Sequence, residues 1–300
     1  MTQVDVRIYE VGPRDGLQNE RAAIGVDAKL QFIDLLADAG LREIEATSLV
    51  SPTAIPQLAD ADELLARLNR RPGVRYPVLV PNARGLERAV AAGAEAICVF
   101  TAASETFSRH NLGMSISESL AAFAPVLAHA GEAGWWTRGY LSTAFGCPYE
   151  GPVAEAAVVS VAERLLAAGV DELSIGDTIG VAGPSDVRRV VRALNGAGIG
   201  QDRLAMHFHD TRGTAVANVS AALDLGIRCF DSSTGGTGGC PYAPGAAGNL
   251  ATEDLVYLLD REGLRHGVDL DGVLAAAAFI SDTLGRPLAS KVGQAGGWPA

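Results

Sequence analysis

No run of about 18 uncharged apolar residues, the length a membrane-crossing helix needs, occurs in this 300-residue chain. A transmembrane helix is therefore excluded. Met1 to Glu10 lack a basic segment followed by an apolar run, so no secretory signal is expected and the cytoplasm is the expected compartment. Positive charge is also scarce: the formal net charge is −11. Such a field repels phosphate and excludes nucleic acid and anionic membranes as natural partners. An anionic substrate would then need a local cationic pocket or a bound metal ion. Cysteine is sparse too, with four residues and no C-x-x-C spacing, which excludes a disulfide scaffold or a zinc ribbon. Most of the four read as small buried residues; Cys240 is set apart by its loop. Finally, no linker or low-complexity run interrupts the chain, and residues 1–300 are expected to form a single domain.

What is present is a repeat of helix, glycine and short apolar strand. Gly40 precedes Glu43–Ala46, Gly93 precedes Ala96–Phe100, Gly134 precedes a run ending at Ser142, Gly169 precedes Glu172–Ile175 and Gly226 precedes Arg228–Asp231. Glycine takes the left-handed conformation that commonly ends a helix without steric penalty. Alternating helices and short apolar strands argue for parallel strands with crossover helices. Strands are predicted over 6–11, 43–47, 76–80, 96–100, 137–142, 172–176, 203–209 and 228–231. Helices are predicted over 27–39, 57–69, 84–92, 117–133, 153–168, 185–195, 214–225 and 251–261. Eight such units predict a (β/α)8 TIM barrel, with an added C-terminal helix over 272–284 and a loosely held tail from Gly293. A doubly wound open sheet is the structural alternative.

In a TIM barrel the site forms where the strands end. Polar residues gather there: Arg14 and Asp15 after the first strand, Glu45 on the second, Asp177 after the sixth, His207 and His209 on the seventh, and Asp231 at the end of the eighth. Residues two apart on a strand share a face, so both imidazoles are expected to face the barrel interior. With Asp15 and the glycine-flanked Asn249 they make a mixed N/O ligand set suited to Mg²⁺, Mn²⁺, Co²⁺ or Zn²⁺. Without those partners, H-x-H would equally describe two satisfied core histidines. Arg14, otherwise half of a common surface ion pair, can serve as a fixed cation beside a reacting carbonyl. Cys240 lies in the glycine-rich stretch Gly235–Ala243. A loop cysteine is more often incidental, but over a catalytic mouth it can donate a proton.

Three segments carry a resemblance: Val11-Gly12-Pro13-Arg14-Asp15-Gly16-Leu17-Gln18-Asn19-Glu20, Gly239-Cys240-Pro241-Tyr242-Ala243 and Gly248-Asn249-Leu250-Ala251-Thr252-Glu253-Asp254. With Gly146–Gly151 and Gly176–Gly180 between them, the chain from about Val6 to Val292 resembles the 3-hydroxy-3-methylglutaryl-CoA lyase family. The resemblance implies a TIM barrel that splits 3-hydroxy-3-methylglutaryl-CoA into acetyl-CoA and acetoacetate. It implies a divalent cation, Mg²⁺ or Mn²⁺, on Asp15, His207, His209 and Asn249. Arg14, Glu45, Asp177, His207 and Cys240 are implied as catalytic or supporting residues, Gln18 as a residue near the metal, and a homodimer as the assembly. Leucine degradation is a pathway of such enzymes. Arg109 and His110, past the fourth strand, are candidate contacts for the phosphates of coenzyme A, or simply a solvated loop. Condensing relatives, with a Glu-Arg pair in place of the Cys-Pro-Tyr segment, are the alternative, as is a lyase for a longer 3-hydroxyglutaryl-CoA. A barrel that only binds metal or CoA is the non-enzymatic alternative. Departures from the family pattern fall at Arg212, Thr214 and Thr237. The general base is left open between Asp177 and His207.

Overall fold

The computed structural model describes residues 4–239 and 248–297. Its strands are β1 (Arg7–Glu10), β2 (Glu43–Ile44), β3 (Thr47–Ser48), β4 (Val78–Leu79), β5 (Ala96–Ala102), β6 (Trp136–Ser142), β7 (Glu172–Asp177), β8 (Leu204–Phe208) and β9 (Cys229–Ser232). They form one sheet in the order β2-β1-β9-β8-β7-β6-β5-β4-β3, and each paired neighbour runs parallel. The two ends of that order are halves of one stave. β2 pairs with β1 and β3 with β4. Between them the Glu45 N–H donates to Glu10 O at 2.9 Å and the Ala46 N–H to Pro77 O at 3.0 Å. The stave thus runs on through Glu45, paired with β1 on one side and with residues 75–79 on the other, and the cylinder closes with eight staves, as the repeat predicts.

Helices α1 (Val26–Asp38), α2 (Ala61–Arg67), α3 (Ala83–Ala91), α4 (Glu105–Leu112), α5 (Ile116–Ala133), α6 (Glu155–Ala167), α7 (Pro184–Gly196), α8 (Ala215–Asp224) and α9 (Thr252–Arg261) follow the staves, and α10 (Leu270–Leu284) is the added helix. The expected glycine signal holds: Gly40, Gly93, Gly134, Gly169 and Gly226 have φ of 99, 65, 68, 101 and 86°. Two of the described helices were not predicted, α4 and a short one in the tail. α4 is short and mostly polar; its start is set by Ser104, whose side chain accepts from the Phe107 N–H at 3.0 Å. The tail also differs from expectation over 291–295. There α11 (Lys291–Ala295) is tied by Asp254, which accepts from the Val292 N–H at 2.7 Å and from Ser290 Oγ at 2.9 Å.

Apolar side chains from the outer faces of the staves and the inner faces of the helices form the main core, running from Val6 and Phe32 to Ile280. The lumen is different. Tyr9, Cys98, Tyr140 and Cys229 pack there, and the equally buried Glu45, Arg138, Glu172 and Asp231 accompany them. Cys98, Cys147 and Cys229 are all buried, as expected.

At the mouth, Glu10 braces three loops. Its carboxylate accepts from the Gly12 N–H at 2.8 Å, the Thr234 N–H at 2.9 Å, Thr234 Oγ1 at 2.8 Å and Thr252 Oγ1 at 2.7 Å. Glu253 beside it accepts from the Gly235 N–H at 2.8 Å. Burial and the nearby Glu10 charge lift the Glu253 carboxyl from 4.5 to about 8. The folded protein therefore keeps a proton that the unfolded chain releases, and stability falls as pH rises from about 4.5 towards 8. Glu253→Gln, which keeps an acceptor for Gly235, should melt a few degrees above wild type at alkaline pH and lose that advantage near pH 5. A difference that does not change with pH in thermal melts would contradict the assignment.

Candidate metal centre and its surroundings

The first stave ends in a wide turn, Gly12–Gly16, in which Val11 O accepts from the N–H groups of Arg14, Asp15 and Gly16. Pro13 lacks an N–H and suits this first turn. Gly16 must be glycine, because a Cβ there would collide with Thr237 Oγ1 and lie 2.7 Å from Ser233 Oγ. The turn presents Arg14 and Asp15 to the lumen. The guanidinium of Arg14, only 6% exposed, donates from Nε and Nη2 to the Glu45 carboxylate at 2.8 and 3.2 Å and from Nη1 to Asp15 Oδ1 at 2.7 Å. Tyr140 donates its hydroxyl to Glu45. Glu45, fully buried in the second stave, thus anchors Arg14.

Asp15 is held from three sides. Besides Arg14, Gln18 Nε2 donates to Oδ1 at 2.7 Å and Asn249 Nδ2 to Oδ2 at 2.8 Å. Burial pushes its carboxyl up, but Arg14, the two histidines and Asn249 outweigh this, and the result is a lowered pKa. Asn249 arrives on a short return segment that pairs antiparallel with His209, secured by Asp210 N–H to Gly248 O at 3.1 Å and Leu250 N–H to Phe208 O at 2.9 Å. Its amide nitrogen donates to Asp15 and to Thr237 O at 3.1 Å. Its Oδ1 is buried and has no hydrogen-bond partner among the described residues.

The histidines face inward together, as the two-residue spacing requires. Their Nε2 atoms lie 3.2 Å apart. One ligand atom from each of Asp15, His207 and His209 falls within 4.8 Å of the others. Burial, reinforced by His207, lowers His209 from 6.5 to about 4 despite the opposing pull of Asp15, so its ring is neutral at pH 7. A neutral imidazole, an ionised carboxylate and a buried amide oxygen lacking a donor together fit a divalent cation.

Behind this cluster lies a layer of which the sequence marked only Asp231, as a polar strand end. His207 Nδ1 is 3.1 Å from Asp231 Oδ2, which also accepts from Ser174 Oγ at 2.7 Å. Arg138, completely buried, donates from Nη2 to Asp231 Oδ1 at 2.6 Å, pairs with Glu172 at 3.2 Å and stacks 3.8 Å over the Tyr9 ring. Burial raises Asp231, but Arg138 and the bonds from His207 and Ser174 more than offset it, and its carboxyl is lowered. The signal was a period of two: Arg138, Tyr140 and Ser142 share one face of β6.

Other candidates fall around the rim. Asp177 ends β7, and each carboxylate oxygen accepts a backbone N–H, from Val181 at 2.9 Å and Ala182 at 3.0 Å. Burial raises it to about 6 against those bonds. The departures at 212 and 214 brace this same loop. Arg212 donates to Ile179 O and Gly180 O, both at 2.9 Å, and Thr214 Oγ1 to Ala182 O at 2.9 Å. Thr237 is satisfied locally by Ser233 Oγ at 2.6 Å. Arg109 is exposed in the last turn of α4, apart from the cluster. His110 stacks on Tyr149 with ring centres 4.4 Å apart. Cys240 lies outside the described residues.

The HMGL-like family profile matches residues 5–280. A mouse protein named mitochondrial hydroxymethylglutaryl-CoA lyase is 50% identical over 290 residues, covering 97% of this chain and 89% of its own length. The solved structure of the Bacillus subtilis HMG-CoA lyase superposes with a TM-score of 0.94 at 49% identity and 97% coverage of both chains. An HMG-CoA lyase from Acinetobacter baumannii, solved with coenzyme A and 3-methylmalate, gives a TM-score of 0.93 at 37% identity over 100% of both chains.

The return segment carries a further requirement. A Cβ at Gly248 would collide with Gly236 O and lie 2.6 Å from Gly238 O and 2.9 Å from Thr237 O, all backbone. Gly248→Ala should therefore displace Asn249 and cost about 2 kcal/mol or more in denaturant unfolding. A variant of wild-type stability would mean that the segment sits otherwise.

Proposed function

Since the chain belongs to the HMGL-like family, we propose that it is a carbon–carbon lyase that cleaves 3-hydroxy-3-methylglutaryl-CoA to acetyl-CoA and acetoacetate. The observation that carries the reading is the convergence of Asp15, His207 and His209 on the same corner as the donorless Oδ1 of Asn249. These four residues would hold a divalent cation. When bound, it supplies Lewis-acid polarisation and a template for orientation.

The chain's own groups divide the remaining work of a retro-aldol cleavage. Asp177 takes the proton of the tertiary hydroxyl. With a pKa of about 6 it is ionised near neutrality yet still basic. His207 is a poorer candidate, since its Nε2 faces the cluster and its Nδ1 faces Asp231. As the C–C bond breaks, the electron pair moves into the thioester enolate. Arg14 stabilises that oxygen. Glu45 holds the guanidinium in advance, so no reorganisation is needed when charge develops. Cys240 delivers the proton to the enolate carbon. Gln18 steadies Asp15 beside the substrate, and Arg109, on the mouth side of the barrel, meets the phosphates of coenzyme A. Mg²⁺ or Mn²⁺ as the cation, a homodimer and a role in leucine degradation rest on the family alone. Among the described residues, no helix is long and apolar enough to cross a membrane.

Incubation with 3-hydroxy-3-methylglutaryl-CoA and Mg²⁺ should yield acetyl-CoA and acetoacetate by mass spectrometry, and excess EDTA should abolish both. Inertness there, with consumption of acetyl-CoA and a 2-oxo acid, would favour the condensing alternative; faster turnover of a longer 3-hydroxyglutaryl-CoA would move the substrate. Wild-type kcat should fall on the acid side at or below about pH 6, where Asp177 becomes protonated. Asp177→Asn should cost about 100-fold or more in kcat and remove that acid limb. An intact limb in the variant would reassign the base.

A further inference from the structure

We propose that Asp231 is a positioning residue for the metal centre, holding the proton of His207 on Nδ1 so that Nε2 presents a lone pair. The inference rests on the metal reading above. It comes from which atoms can donate. A carboxylate only accepts, so at the 3.1 Å contact with Asp231 Oδ2 the donor is His207 Nδ1–H. His207 Nε2 then carries no hydrogen. At its 3.2 Å contact with His209 Nε2 the hydrogen must belong to His209. That leaves His209 Nδ1 as a bare lone pair, consistent with its having no hydrogen-bond partner among the described residues.

Asp231 itself cannot turn. Oδ1 is engaged by Arg138 Nη2 at 2.6 Å and Oδ2 by Ser174 Oγ at 2.7 Å. Arg138 is fixed in turn by Glu172 and by the Tyr9 ring. The histidine is thus oriented from the bottom of the barrel through four linked side chains. A ligating imidazole whose other nitrogen donates to a carboxylate has a fixed tautomer and orientation and a more basic donor atom.

Asp231→Asn makes the test sharp. Arg138 demands an acceptor, so the amide oxygen must face Arg138 and the amide nitrogen must face His207. Nδ1 then becomes an acceptor, and the hydrogen moves to Nε2. The measurements are ¹⁵N NMR of imidazole-labelled, metal-free protein and Mn²⁺ titration by calorimetry. In wild type the His207 shifts should report Nδ1–H; in Asp231→Asn they should report Nε2–H. Mn²⁺ affinity should fall about 10- to 100-fold in the variant. Ser174→Ala, which leaves both the Arg138 and His207 bonds, should keep the wild-type tautomer. Wild-type protein with the hydrogen on Nε2 overturns the proposal without any variant. So does Asp231→Asn with unchanged Mn²⁺ affinity, or with lost affinity and an unchanged tautomer. Wild type that binds no Mn²⁺ would defeat the metal reading instead, and the tautomer measurement would still decide the role of Asp231.

Discussion

Ionised groups survive inside a closed barrel only if each charge is matched by a neighbour, because solvation lost on burial must be replaced by hydrogen bonds and opposite charge. In the lumen opposite charge supplies most of this. Arg138 lies between Glu172 and Asp231, and Arg14 between Glu45 and Asp15. The matching depends on strand register. Arg138 is the direct neighbour of Glu172, and His207 of Asp231. A slip of one residue would turn these side chains towards the helices and strand their charges in an apolar layer. The polar lumen therefore selects the alignment of the staves, and that alignment delivers the cluster at the mouth.

Above that layer the centre is assembled from parts of unequal rigidity. The histidines are carried on or just beyond a strand. Asp15 and Asn249 sit on connections, and such positions need bracing. Glu10 supplies much of it, reaching the turn before Arg14, the loop after β9 and the start of α9 with one carboxylate. Glu45 does the same for Arg14. Both acids sit at or beside strand ends and touch no proposed ligand, yet the placement of the proposed ligands depends on them.

Much of this was legible in the sequence. The five glycines at helix ends and the apolar strands between them located the staves, since positive φ and burial leave strong local marks. The inward pairing of the two histidines was legible because H-x-H on a strand has one geometric outcome. Asp231 was legible as a polar strand end, but its bonds to His207 and Arg138, like the places of Arg138 and Tyr140, come from cross-strand neighbours that only register reveals. Glu45 could be named, but its bond to Arg14 could not. α4 escaped because a short polar helix has a weak period, with Ser104 as its main signal. The tail over 291–295 escaped because its anchor, Asp254, lies on another helix.

The bond between Asp15 and Asn249 joins residues 234 positions apart. Contacts of such long range form late, after most loop-closure entropy has been spent. A growing chain halted before β9 would carry Asp15 and both histidines, with no cylinder to gather them. The proposed cation would then be captured only when the ring closes, and an ion binding only the closed form would draw the folding equilibrium towards it. Supply of such an ion during synthesis would raise the share of chains that reach the closed form.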